Sequence, residues 1–201
     1  MNKTKFGQTI TLREVDGAEI ISLVDNSVDF LSTIEKKEVQ QVREWVREQK
    51  GEEWMREHFR LPMAEHGFSM FISVFSHEES SHILFDTGGS SDGAVTNAQR
   101  MGLNLNEVEC VVLSHGHYDH CGGLLTALKV INKDKLPIIV HDDMFKTRGV
   151  ANPNGSIREY PKFPTEDQVM SAAYVKTKRP YLLRLTASTS KRAGRKTVRR
   201  Q

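Results

Sequence analysis

The sequence has little cysteine: Cys110 and Cys121 are the only two in 201 residues. Two thiols make no disulfide framework and fit a reducing, cytoplasmic setting. Long apolar runs are also missing. No window approaches the roughly 18 consecutive apolar residues of a membrane span. Met1-Asn2-Lys3-Thr4-Lys5 leads into no apolar signal segment, so no membrane partner is expected. Internal repeats are absent, and no low-complexity stretch precedes the C-terminal region. Acidic residues fail in one place only: residues 176–201 hold ten basic side chains and no acidic one. The whole chain carries 28 Lys plus Arg against 26 Asp plus Glu, so residues 1–175 keep 18 basic against 26 acidic, an acidic body with a basic tail. What is present suffices for a core. With 38% hydrophobic residues the chain is globular, its length suits one domain, and a chain of this size buries about 70% of its unfolded surface.

Periodicity places the elements. Residues 18–25 (AEIISLVD) read as a strand, extended by 9–12. Residues 32–59 read as an amphipathic helix, with Val39, Val42, Trp45 and Val46 on one stripe. The helix breaks near Gly51, and Trp54, Met55 and Phe59 continue its apolar face. Residues 67–75 and 81–86 form a predicted hairpin around His77-Glu78-Glu79-Ser80. A glycine-rich turn over 86–91 precedes a helix at 93–101. Residues 107–114 (EVECVVLS) are a nearly continuous apolar run, as in a buried strand. A helix over 122–132, a strand over 137–141 and a short helix over 142–146 follow. Beyond Asn152, the prolines at 153, 161 and 164 leave only short segments. Strands alternating with helices define the α/β class.

The chemistry concentrates between a predicted strand and a predicted helix, in Ser114-His115-Gly116-His117-Tyr118-Asp119-His120-Cys121-Gly122-Gly123. Three of the eight histidines fall within six positions, with a carboxylate among them. Imidazole nitrogen and carboxylate oxygen suit Zn²⁺, and also Fe or Mn. In an extended loop, residues two apart project to one side, so His115 and His117 can grip one ion. Asp119 and His120 turn toward a neighbouring position that could hold a second. Gly116 lets the backbone bend close to the metals, and Gly122-Gly123 lets the next helix start tightly against the loop. A structural zinc site is usually closed and thiolate-rich, which this loop is not. Cys121 is read as a small residue supporting the turn.

This loop follows an apolar strand and is preceded by Leu84-Phe85-Asp86-Thr87-Gly88. Together these features resemble the metallo-β-lactamase superfamily. With Ala64-Glu65-His66-Gly67-Phe68-Ser69 and His141-Asp142-Asp143-Met144-Phe145 added, the chain is similar to one branch. That branch is labelled dihydropterin-ribofuranosylaminobenzene phosphate synthase-like, after a proposed role in methanopterin biosynthesis. The resemblance covers residues 18–183 and implies the N-terminal portion of an αββα sandwich, followed by a basic, disordered tail over 184–201. It implies that His115 and His117 hold one divalent metal, Zn before Fe or Mn, and that Asp119 and His120 hold a second. Asp86 is expected to support the loop through hydrogen bonds, and His66 to approach the site. His141 reads as structural. The implied reaction is hydrolysis of an ester, amide, thioester or phosphoester in a small-molecule substrate. Metal-bound hydroxide would attack and Asp119 would orient it.

The superfamily draws further ligands, two of them histidines, from later strands, yet after Cys121 this chain offers His141 alone. We therefore expect at most one weakly bound metal and poor turnover. A catalytically inactive homologue, a derivative using the tail to bind metal or nucleic acid, and a partner chain supplying ligands are the rival readings. For the tail itself, a basic arm for nucleic acid or an acidic membrane surface competes with a solvated extension and with a frameshifted or truncated end. The coincident loss of family pattern, apolar content and acidic residues favours the last, so nucleic acid is not the expected partner.

Overall fold

The structure is a computed structural model that describes residues 14–34, 36–77, 79–160, 164–170 and 175–177. Residues 9–12 and 184–201, to which a strand and a tail were assigned, lie outside the described residues. In chain order the elements are β1 (Gly17–Val24), α1 (Val42–Glu57), β2 (Ser69–Ser76), β3 (Glu79–Phe85), α2 (Gly93–Arg100), β4 (Val108–Val112), α3 (Tyr118–Cys121) and α4 (Leu124–Ile131). β5 (Ile138–His141), β6 (Gly149–Ala151), β7 (Ile157–Glu159), α5 (Glu166–Met170) and β8 (Val175–Thr177) complete the set. Short 3-10 turns occupy Leu105–Glu107 and Asp142–Phe145.

One six-stranded sheet runs β1-β2-β3-β4-β5-β8, and β6 with β7 forms a separate hairpin. β1, β2 and β3 pair antiparallel, whereas β3, β4, β5 and β8 pair parallel. Parallel neighbours need a crossover, which α2 provides from β3 to β4, and α3 with α4 from β4 to β5.

The register fixes which side chains share a face. Ile21, Phe71, Leu84, Val111 and Ile138 lie across one row and are all buried. They join Val46 and Met55 of α1, Ala94, Val95 and Ala98 of α2, and Leu124, Ala127 and Ile131 of α4 in one cluster. Each fully buried aliphatic side chain there contributes roughly 1.5–3 kcal/mol. The opposite face is apolar too. Ile20, Ile72, Ile83 and Cys110 form one row, and Met70, Phe85, Val112 and Ile139 the next. None of these eight belongs to the core cluster; Ile20 is 60% exposed, whereas Cys110 is 1% exposed. One helix layer and one sheet of the expected αββα arrangement are thus described, and on the second sheet face Cys110 is buried while the six residues other than Ile20 and Cys110 are half-buried.

Two expectations need correction. The helix assigned to 32–59 begins only at Val42, after an extended Gln41 (φ −66°, ψ 140°). Asp29 holds a turn instead, its carboxylate accepting from the backbone N–H of Leu31 and of Ser32. Leu31 is 96% and Val39 51% exposed, so no apolar contact draws this stretch onto the sheet. The break at Gly51 is present, with φ 85° and ψ 168°. Second, the short helix expected over 142–146 is a 3-10 turn over Asp142–Phe145, whereas the segments beyond Asn152 are short as expected, β7 of three residues and α5 of five.

Candidate functional site

The site forms at the carboxyl ends of β3, β4 and β5, where parallel open sheets place their ligand crevices. The pairing Phe85↔Val112 brings the strand ends level, and the Asp86 N–H donates to Val112 O at 2.9 Å. Beyond that point the loops pack backbone to backbone. Thr87 N donates to His120 O at 2.8 Å, Phe68 N to Asp119 O at 3.0 Å, and Gly122 N to Gly88 O at 2.9 Å. A Cβ on Gly122 would lie 2.1 Å from Gly89 O, so this close approach requires glycine.

Asp86 is completely buried and has φ 54°, a left-handed conformation that Asp tolerates better than most residues. Its carboxylate accepts from Ser114 N–H at 2.8 Å, Ser114 Oγ–H at 2.7 Å and His120 Nδ1–H at 2.8 Å. These bonds assign protons along a relay. A carboxylate only accepts, so Ser114 donates to it, and the Ser114 oxygen accepts from His115 Nδ1–H at 3.0 Å. His66 follows the same pattern, its Nδ1–H donating to Asn26 Oδ1 at 3.1 Å. In all three histidines Nδ1 is thereby assigned as the donor, and a neutral ring with that tautomer keeps the Nε2 lone pair. Burial pushes the His115 imidazole pKa down, and His120 and His117 push it further, against a smaller pull upward from Asp86 and Asp119. The neutral, ligating form is favoured.

The bare nitrogens gather around Asp119. Its Oδ2 lies 3.6 Å from His120 Nε2 and 3.5 Å from His66 Nε2. A carboxylate oxygen and an imidazole nitrogen at this separation can share a cation. Two ligands on one tetrahedral ion, each about 2.0–2.2 Å from it, stand roughly 3.3–3.6 Å apart. The His115 ring lies 4.6 Å from that of His117 and 4.2 Å from that of His120, centroid to centroid. All four candidate ligands and both supporting residues, Asp86 and His66, are therefore neighbours in space. Among the described residues, however, no group of three or more His, Cys, Asp or Glu side chains is arranged to hold an ion. In donor chemistry and pairwise spacing the site fits a divalent metal; in ligand number it falls short.

His141 is built differently. Its Nδ1 accepts from Asp143 N–H at 3.1 Å, which puts the ring proton on Nε2. The Cys121 thiol is buried and its pKa is pushed up to about 11, chiefly by that burial; its Sγ donates to His117 O at 3.0 Å, in keeping with a turn-supporting role. Two residues went unread in the sequence. Ser114, the hub of the relay, occurs in the loop motif but is a common strand-end residue with no signal of its own. Arg148 lines the cavity beside His115 and His117, from a stretch with no recognisable pattern.

The sequence model of the metallo-beta-lactamase superfamily matches residues 64–182. A 7,8-dihydropterin-6-methyl-4-(beta-D-ribofuranosyl)-aminobenzene-5'-phosphate synthase of Methanocaldococcus jannaschii is 36% identical over 90 residues, 45% of this chain and 30% of the relative. An uncharacterized protein of the same organism is 39% identical over 94 residues, 44% of this chain and 32% of its own. The match thus spans about a third of the length of these curated relatives. Among solved structures, MEM-A1, a subclass B3 metallo-beta-lactamase from a soil metagenome library, is 19% identical, with a TM-score of 0.38 over 63% of this chain and 49% of its own. Because the superfamily match takes in more than half of the residues and contains the whole histidine loop, the chain belongs to the metallo-beta-lactamase superfamily.

Proposed function

We propose that this chain is the metal-binding portion of a cytoplasmic metal-dependent hydrolase acting on a small-molecule ester, amide, thioester or phosphoester. His115, His117, Asp119 and His120 would hold the divalent metal, Zn²⁺ before Fe or Mn. The observation that carries the reading is the relay from Asp86, directly to His120 and through Ser114 to His115, which engages Nδ1 of both rings and turns His120 Nε2 to within 3.6 Å of Asp119. When bound, a divalent cation supplies Lewis acidity and lowers the pKa of water toward neutrality. Asp86 fixes the imidazole orientation, a role that outer carboxylates play for ligating histidines. Asp119, only partly buried, can accept a hydrogen bond from an attacking water and so aim its lone pair. His66 places its Nε2 3.5 Å from Asp119 Oδ2 and so borders the same carboxylate. Two free, buried thiols support the cytoplasmic setting.

The synthase name of one relative favours a second reading, a pterin-pathway-like branch member whose reaction is not hydrolysis. Zinc titration of the full chain by calorimetry, followed by assay with p-nitrophenyl acetate and p-nitrophenyl phosphate, tests the first reading. We expect at most one weakly bound ion, lost in Asp119→Asn and His120→Ala, and slow metal-dependent release of nitrophenol. Two tightly bound ions per chain would contradict the incomplete ligand set. Metal uptake without any hydrolysis would favour the second reading.

A further inference from the structure

Arg148 stands at the site without a role in the reading above. It immediately precedes β6, and its carbonyl accepts from Tyr160 N–H at 2.8 Å, so the β6–β7 hairpin anchors its backbone. Its side chain folds onto the metal loop. A Cβ on Gly116 would meet Arg148 Nη1 at 2.3 Å and Nη2 at 2.7 Å. The space beside Gly116 is therefore filled by the guanidinium, between the two histidines of the loop, rather than left for a bend toward metal. No carboxylate pairs with Arg148 among the described residues. Asp143, which shares the cavity, is taken by Lys146 at 2.5 Å.

The cavity has a volume of about 260 Å³ and is bordered by Ser114, His115, His117, His141 and Arg148. That is smaller than the roughly 300–1,000 Å³ of pockets that enclose a whole ligand, so it suits one end of a substrate. A half-buried guanidinium with no carboxylate partner among the described residues is a strong oxyanion receptor. Its planar fork matches phosphate and carboxylate with paired N–H donors.

We propose that Arg148 is the anion-recognition residue of this site, and that the substrate carries a phosphate or carboxylate group which Arg148 grips beside the histidine loop. The proposal rests on the reading above only in placing the reacting bond at those histidines; oxyanion binding itself needs no metal.

Calorimetric titration of the full chain in EDTA tests it, with phenyl phosphate, benzoate and neutral phenol as probes. We expect the two anions to bind and phenol not to. Tighter binding of phenyl phosphate assigns a phosphate monoester substrate, tighter binding of benzoate a carboxylate. Arg148→Gln should weaken the preferred anion about tenfold or more, and Arg148→Lys less, because it keeps the charge but loses the fork. Gly116→Ala should weaken it as well, by displacing the guanidinium while leaving it in the chain, and decides the matter if Arg148→Gln does not fold. Arg56→Gln, on α1, should bind as wild type. Equal binding in wild type, Arg148→Gln and Gly116→Ala, or no preference for anions over phenol, overturns the proposal. Zinc titration fails or succeeds independently, so loss of the hydrolase reading would leave this result intact.

Discussion

At Asp86 three donors meet one buried carboxylate, two from Ser114 and one from His120. Replacing it with asparagine keeps the volume and the tolerance for positive φ, and isolates the carboxylate's chemistry. One accepting oxygen becomes an N–H₂ that faces donors, so Asp86→Asn leaves buried polar groups unmatched. The expected cost is about 1–3 kcal/mol of stability, with zinc affinity lower by about 10–100-fold. Chemical denaturation and zinc calorimetry on the same variant measure both. Wild-type values in each would show that the relay orients nothing. The sequence named Asp86 and the four loop residues because their donor types and spacing are local properties. It was silent on Ser114 and Arg148, whose roles depend on neighbours 28 and 32 positions away in Asp86 and Gly116.

In α1 the kink has a geometric purpose. Val46 and Met55 are both buried in the core. Nine residues amount to about two and a half helical turns, so an unbroken helix would point them in opposite directions. Gly51, at φ 85° and ψ 168°, resets the phase between the two segments. That conformation is open almost only to glycine, and forcing another residue into it costs about 1–3 kcal/mol. Gly51→Ala should lower the urea midpoint with an unchanged slope, whereas Lys50→Ala should hardly move it. A raised midpoint for Gly51→Ala would mean that the lost unfolded-state entropy outweighs the strain. The break itself was legible, since glycine interrupts an otherwise periodic stripe. The helix start was not, because residues 36–41 carry compatible side chains and only missing contacts leave them outside the helix. Strands of three residues such as β6, β7 and β8 contain too few alternations to be read at all.

Across the whole molecule, two rows of apolar side chains cover the sheet face away from the helices, without a charged residue among Ile20, Ile72, Ile83, Cys110, Met70, Phe85, Val112 and Ile139. Ile20 is exposed, Cys110 is buried and the other six are half-buried, so this apolar face is partly open to solvent. The full chain should enhance the fluorescence of an anilinonaphthalene sulfonate dye while keeping its native circular dichroism. Ile20→Lys with Ile72→Lys should cut that enhancement at least by half without loss of helix signal. An unenhanced wild-type spectrum would mean that the face is covered. The sequence by itself determined the α/β alternation, the superfamily and the histidine loop, because periodicity and motif spacing are written within a few residues of each other. Only the tertiary structure decided that His115 lies against His120, that Asp86 engages His120 directly and His115 through Ser114, and that Arg148 fills the space at Gly116. Those contacts follow from the register of β3 on β4 and from where a distant hairpin returns, and neither is encoded in any local stretch of chain.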